Sequence, residues 1–207
     1  FMAVTLSFPD LWTFDTVTRQ DGILKIDIEP LTPDRWSDFE TVFGKSGCNG
    51  CWCTWWRVTS KQFSSMSRID RKEFIRTLVQ QGVEAGLIAY VDGIPAGWVT
   101  VAPRQDYIHL ATSRILAPVD DEPVWSMPCF FIRQKYRHLG LMSQLINAAV
   151  EYAHTHGAKI VEAYPNDRAE EVNPLSIYTG VASTFSSAGF EEAIRRKPNR
   201  PVMRKYL

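Results

Sequence analysis

A basic turn between an apolar run and an amphipathic helix is the part of this sequence best suited to chemistry. The apolar run covers residues 124–132, the turn contains Arg137 and Gly140, and apolar residues then recur at helical spacing from Leu141 to Tyr152. A glycine-containing turn that opens a helix directs free backbone N–H groups and the positive end of the helix dipole at one point. We therefore predict a diphosphate site here, with a plain strand-to-helix connection as the alternative.

Three cysteines and three tryptophans are concentrated in residues 47–57. The spacing C-x-x-C-x-C at Cys48, Cys51 and Cys53, with Cys129 as a fourth thiol, raises the question of a zinc or iron–sulfur site. The segment has no second nearby cysteine pair or histidine, so we predict no metal, and a packed Cys/Trp loop is the simpler interpretation. Cys129 is also a candidate nucleophile, although apolar neighbours would raise the pKa of its thiol.

The amino-acid composition limits the classes of protein to which this chain can belong. At 207 residues, with 45% hydrophobic and 22% charged residues, the chain has the composition of one globular domain. Lys plus Arg and Asp plus Glu both number 23, so no overall field attracts nucleic acid or an anionic membrane. No apolar run reaches the ~20 residues of a membrane helix, and residues 1–10 lack a secretory pattern. We expect a cytoplasmic protein with no disulfide framework.

Strands and helices are interspersed along the predicted chain. The pattern predicts a strand over 24–28, a helix over 32–43 that ends at Gly44, and a helix over 70–81 capped by Asp70. Asp92-Gly93 between two apolar runs predicts a hairpin. The later elements are a short helix near 107–114, a strand over 124–132, a helix to Gly157, a strand over 160–164, a helix over 175–188 and strands over 190–196 and 202–206. We predict an α+β (mixed α/β) fold, with one domain over 24–207 after an N-terminal extension over 1–23.

Two separated motifs resemble those of a known superfamily. Arg137-x-x-Gly140 after a buried strand resembles the acyl-CoA signature Q/R-x-x-G-x-G/A of the Gcn5-related N-acetyltransferase (GNAT) superfamily, with Met142 where that signature has Gly or Ala. Residues 185–190 look like its Y-x-x-x-G-F element, with Phe185 in place of the tyrosine. Together with the element order, the resemblance covers about residues 24–207. It implies a GNAT-like acyl-CoA acyltransferase fold, a central, mostly antiparallel twisted sheet flanked by helices.

The resemblance also implies acetyl-CoA as the acyl-donor cosubstrate. Amides at the end of the central strand would bind its pantetheine arm, and amides of the turn would bind its pyrophosphate. By position these are Phe130, Phe131 and Ile132 for the arm, and Arg137, His138, Leu139, Gly140, Leu141 and Met142 for the pyrophosphate. The segment between the first two helices would line the acceptor side, where Trp52, Trp55 and Trp56 would contact an aromatic or apolar acceptor. The alternative is that the apolar residues are core and the basic ones solvated.

Acetyl transfer from a thioester to an amine needs a base for the amine proton and an acid for the leaving thiolate. Many relatives carry that acid as a tyrosine at the position of Phe185, which has no proton to give. Tyr178 is the first substitute, because seven residues make nearly two helical turns, and Tyr164 is the second. Glu162 on the next strand is the candidate base, and a buried hydrogen-bonding role is its alternative.

These expectations describe an acetyl-CoA-dependent N-acetyltransferase that works by direct transfer in a ternary complex. Its acceptor would be a small-molecule or peptide amine, and a homodimer is left open. The absence of the usual tyrosine and of a carboxylate on the central strand motivates a second hypothesis, an acyl-CoA-binding sensor or interaction module with the same fold and little catalytic activity.

Overall fold

A computed structural model describes residues 12–19, 22–167 and 178–207. The strands in these ranges form one eight-stranded sheet in the order β1-β2-β3-β4-β5-β6-β8-β7. Their bounds are β1 Trp12–Arg19, β2 Gly22–Pro30, β3 Leu87–Val91, β4 Ile94–Pro103, β5 Trp125–Ile132, β6 Ile160–Ala163, β7 Glu191–Arg195 and β8 Pro201–Tyr206. Neighbouring strands are antiparallel except β5 and β6. The predicted mostly antiparallel central sheet is confirmed.

Helices cover both faces of this sheet. They are α1 Trp36–Phe43, α2 Gly47–Gly50, α3 Ser60–Ser65, α4 Arg68–Gln80, α5 Ile108–Ala111, α6 Leu141–Thr155 and α7 Ala182–Ser187. Along β4, Val99 belongs to the core cluster that contains the buried side of α6, whereas the adjacent Trp98 belongs to the cluster beneath α1. Because side chains alternate along a strand, α1 and α6 lie on opposite faces. No helix in the described ranges is both long and apolar enough to span a bilayer.

Local signals located most elements and misplaced some boundaries. The hairpin at Asp92-Gly93 is confirmed. The N-cap of helix α4 is Ser67, three residues before the predicted cap, and the Asp70 side chain accepts from the Ser67 N–H in a capping box. Residues 12–19, within the predicted extension, form the strand at the sheet edge. Of the helix predicted over 175–188, only Ala182–Ser187 is helical, and 175–177 lie outside the described residues.

A β-bulge in β5 shapes the centre of the sheet. Thr100 pairs with Cys129 and Ala102 with Ser126, so one residue of β4 faces two residues of β5, Met127 and Pro128. Proline has no N–H to donate, which suits it to a bulge. The parallel pairing of β5 with β6 ends at the same place, at Met127↔Ala163. Beyond it, no strand in the described part of the chain pairs with residues 128–132 on the β6 side.

Candidate active site

The free edge of β5 leads directly into the basic turn. After β5 the chain makes a 3-10 turn over Gln134–Tyr136, and α6 begins at Leu141. Two residues between them have left-handed backbones, His138 with φ 63° and Gly140 with φ 73°. The strand end and the turn therefore form one continuous stretch of backbone. The predicted arm and pyrophosphate residues all lie along it.

Buried leucines hold this turn while its backbone stays open. Leu139 and Leu141 are buried in the core cluster, whereas Arg137, His138 and Gly140 are exposed. The N–H groups at the start of α6 have no acceptor within the helix. A Cβ on Gly140 would meet nothing within 4 Å. The arrangement therefore leaves both donors and space for an anion.

Three further side chains border the turn. The hydroxyl of Tyr136 and the amide oxygen of Gln144 are buried without a hydrogen-bond partner in the described structure. Met142, which departs from the family signature, extends away from the turn: its methyl carbon lies 2.1 Å from where a Cβ on Gly180 would be. The methionine therefore fills space over Gly180. The two orphaned polar atoms fit a site that an external polar ligand completes.

Tyr178 lies beside the strand end, but not for the predicted reason. Gly180 has φ 78° and Val181 is extended, so Tyr178 and Phe185 do not share a helix, and the argument from helical spacing is wrong. Phe185 is fully buried, edge-on to Phe130, on the α6 face. The Tyr178 ring instead lies 6.4 Å from that of Phe131, centroid to centroid.

Burial, followed by the neighbouring Cys48 thiol, raises the pKa of Tyr178 to about 12. The tyrosine therefore stays protonated at neutral pH. The Tyr178 hydroxyl is therefore a proton donor between Cys48 and Phe131 of β5.

Glu162 is a member of a buried ion-pair network. Its Oε1 accepts from Arg204 Nε at 2.9 Å, and its Oε2 accepts from Arg104 Nη1 at 3.1 Å. Oε2 also accepts from the Tyr164 hydroxyl at 2.7 Å. The side chain is 1% exposed. With both oxygens occupied by donors, this geometry favours the structural role over that of a base.

Tyr164, the second candidate acid, lies in the same network and is completely buried. Its hydroxyl is 2.7 Å from the Ser126 Oγ. Burial, reinforced by the Glu162 charge, raises the pKa of Tyr164 well above its ordinary value. Arg204 also pairs with Asp120, so the network ties β6 and β8 to the acidic loop before β5.

The three tryptophans predicted on the acceptor side have different environments. Trp52 is 7% exposed and stacks on Phe43, and Trp56 is 9% exposed within a second core cluster. Trp55 is half-buried, and its ring centroid lies 4.2 Å from that of His109. Burial lowers the pKa of His109 below its ordinary value. Only Trp55 of the three leaves a substantial part of its ring open to an acceptor.

The cysteine loop, residues 46–57, has a backbone that sequence patterns did not reveal. Gly47, Cys48, Asn49 and Gly50 are successively left-handed, with φ between 53° and 75°, and Trp52 and Cys53 are left-handed as well. Burial raises the pKa of Cys48 to about 12 and that of Cys51 to about 11. Within the described ranges, no three His, Cys, Asp or Glu side chains are arranged to hold a metal ion.

Comparisons with known proteins agree with this architecture. The model of the acetyltransferase (GNAT) family matches residues 52–172, more than half of the chain. A GNAT-family acetyltransferase from Listeria monocytogenes is 11% identical, with a TM-score of 0.56, 93% of this chain covered and 100% of that one. The PaiA N-acetyltransferase of Thermoplasma acidophilum, solved with coenzyme A, is 14% identical, with a TM-score of 0.50 and coverages of 88% and 99%.

An aminoglycoside acetyltransferase, AAC(6')-Ib, also solved with coenzyme A, is 17% identical. Its TM-score is 0.52, and the alignment covers 87% of this chain and 94% of that one. At these identities the similarity shows a shared fold. No curated protein matches the chain.

Proposed function

This chain belongs to the GNAT acetyltransferase family, and from that premise we propose that it is an acetyl-CoA-dependent N-acetyltransferase. The acetyl group would pass directly to an amine, a small molecule or peptide, in a ternary complex. The observation that carries the proposal is the separation of β5 from β6 after Met127, which leaves a strand edge that continues into the open turn at Gly140.

Backbone groups would make most of the contacts with acetyl-CoA, the acyl donor. On the side away from β4, residues 130–132 pair with no described strand, and their backbone would bind the amide groups of a pantetheine arm as an added strand would. The N–H groups of residues 138–142 and the positive end of the α6 dipole would bind the pyrophosphate. Arg137 is exposed beside it and adds positive charge. The Tyr136 hydroxyl would donate a hydrogen bond to the cosubstrate, and the Gln144 amide oxygen would accept one from an N–H or O–H group of it.

Tyr178 is the proposed acid for the departing thiolate. The reaction breaks the thioester C–S bond, forms a C–N bond, and leaves a thiolate that takes up one proton. Tyr178 stays protonated at neutral pH, and its ring lies against Phe131 of the proposed arm site. Glu162 would hold the sheet together through its two arginines, and solvent water would take the amine proton.

The competing function is an acyl-CoA sensor on the same fold, and turnover separates the two. Release of free CoA that depends on an added amine supports the enzyme. Tight acetyl-CoA binding, with no amine in a broad panel causing CoA release, supports the sensor.

The donor site itself is tested by Gly140→Asp. The change places a carboxylate where the pyrophosphate would approach, so we expect calorimetry to show at least a 100-fold loss of acetyl-CoA affinity, about 2.7 kcal/mol. Gly157→Asp is the matched control, because Gly157 is also left-handed, open, and at the other end of α6. Both variants bear a similar backbone cost, and only the first should lose binding. Equal affinity in the two folded variants would refute the donor site.

A further inference from the structure

Two cysteines that the proposed reaction does not use meet beneath the cysteine loop. Trp98 and Thr100 of β4 pair with Phe131 and Cys129 of β5, so all four side chains lie on the α1 face of the sheet. Cys53 comes down onto this face from the loop, and its Sγ accepts from the Trp98 Nε1 at 3.2 Å. Cys129 packs against the buried core cluster that contains Cys53.

The surroundings of the two sulfurs shift their pKa values in opposite directions. The neighbouring Cys129 thiol and donation from Trp98 outweigh burial and lower the pKa of Cys53, with Arg57 adding positive potential. The neighbouring Cys53, together with burial, raises the pKa of Cys129. Of the two thiols, Cys53 is therefore the one that ionises more readily. A disulfide forms when such a thiol is oxidised beside a second one.

We propose that Cys53 and Cys129 are a reversible oxidation site, at which a hydroperoxide converts the thiol pair into a disulfide between the cysteine loop and β5. The Cys53 thiolate attacks the peroxide O–O bond and becomes a sulfenic acid, and the other peroxide oxygen leaves as hydroxide, which takes a proton to become water. The Cys129 sulfur then attacks the sulfenic sulfur, and its proton leaves with the hydroxyl as a second water. Two thiols and one peroxide thus give one disulfide and two waters.

The exposure of Cys129 and the raised pKa values of the competing thiols both favour oxidation of this pair. Cys53 is 4% exposed, whereas Cys129 is half-buried and is the more accessible residue of the two. The other two thiols are disfavoured because burial raises the pKa values of Cys48 and Cys51. The proposal does not rest on acetyl transfer. A disulfide here would nevertheless fix Cys129, which directly precedes the proposed arm residues.

Tryptic peptides can identify the bond in the wild-type protein. Cleavage places Cys48, Cys51 and Cys53 in the peptide 46–57 and Cys129 in the peptide 115–133. The protein is treated with one equivalent of hydrogen peroxide, blocked with N-ethylmaleimide in denaturant and digested. We expect a linked pair of these two peptides, lighter by two hydrogens than their sum and lost on treatment with dithiothreitol, with fragmentation placing the bond at Cys53.

Variants provide the control. Cys53→Ser and Cys129→Ser should each abolish the linked peptide, whereas Cys51→Ser should retain it. If a serine variant does not fold, fragmentation of the wild-type peptide still decides. An internal Cys48–Cys51 disulfide in peptide 46–57, a sulfinic acid without cross-linking, or four thiols that all remain reactive with N-ethylmaleimide would each overturn the proposal.

Discussion

The basic turn and the cysteine loop use the same unusual backbone conformation for opposite purposes. In the turn, His138 and Gly140 are left-handed and exposed, and nothing lies above Gly140. In the loop, a Cβ on the left-handed Gly47 would lie 2.2 Å from the Trp52 Nε1. The turn thus keeps backbone amides available to a ligand, whereas the loop is closed over by its own side chains. Left-handed residues mark a binding site only where the space beside them is empty.

The loop needs compensation for its backbone. Each left-handed non-glycine residue costs about 1–2 kcal/mol, and the loop has four: Cys48, Asn49, Trp52 and Cys53. Contacts from α4 offset this cost. Arg71 Nη1 donates to the Gly50 carbonyl at 3.1 Å, and Thr54 Oγ1 donates to the Arg71 carbonyl at 2.8 Å.

Two alanine substitutions, one in the loop and one in the turn, should differ clearly in their effect on stability. Gly47→Ala should lower the free energy of unfolding by about 3 kcal/mol, because it combines the left-handed cost with a clash against the buried Trp52 ring. Gly140→Ala should cost only about 1 kcal/mol, the backbone term alone. Urea unfolding of both variants measures the difference. Equal losses would mean that the loop is as open as the turn.

Tyr178 links the two regions, since Cys48 of the loop raises the pKa of its hydroxyl and its ring lies near the strand that leads to the turn. Tyr178→Phe should lower kcat by about 100-fold, or about 2.7 kcal/mol, with unchanged acetyl-CoA affinity. The wild-type enzyme should show no alkaline loss of kcat from this group below about pH 10, because the proton is lost only as pH rises through a pKa of about 12.

Steady-state kinetics with the best acceptor measures both effects. Tyr206→Phe, at an exposed site, is the matched control and should leave kcat unchanged. Full activity in the Tyr178 variant would remove this residue from the mechanism. A higher rate in Phe185→Tyr would indicate that the native thiolate leaves without a side-chain acid.

The smallest expected effect concerns the attachment of the loop to α4. Thr54→Val keeps the side-chain shape but removes the donor to the Arg71 carbonyl, and should cost about 1 kcal/mol of stability. Calorimetry should find acetyl-CoA affinity unchanged, because the turn does not depend on this bond. A loss of affinity would show that the two regions are coupled.

Local patterns were enough to predict the elements near the donor site. The Asp92-Gly93 hairpin, the buried β5 and the start of α6 each depend on residues close together in sequence. The prediction of Asp70 as the N-cap of α4 is wrong, because aspartate taken alone is a typical N-cap residue. The S-x-x-D spacing from Ser67, which defines the capping box, was the signal that would have placed it.

The side-chain environments could not be predicted in the same way. The arginine partners of Glu162 come from the turn after β4 and from β8, and the indole that donates to Cys53 comes from β4. Such contacts depend on topology and on the β5 bulge, not on spacing along the chain. The helical spacing of Tyr178 and Phe185 failed for a visible reason, because Gly180 interrupts the helix between them.

The position of β8 has a consequence for how the molecule is assembled during synthesis. This strand lies between β6 and β7 and supplies Arg204 to the buried Glu162. Until residues 201–206 leave the ribosome, β6 has an unpaired edge and Glu162 lacks one of its two cationic partners. The earlier strands can pair in succession as they emerge, but this half of the sheet must wait for distant residues. The core around Glu162 therefore closes only after residues 201–206 have emerged.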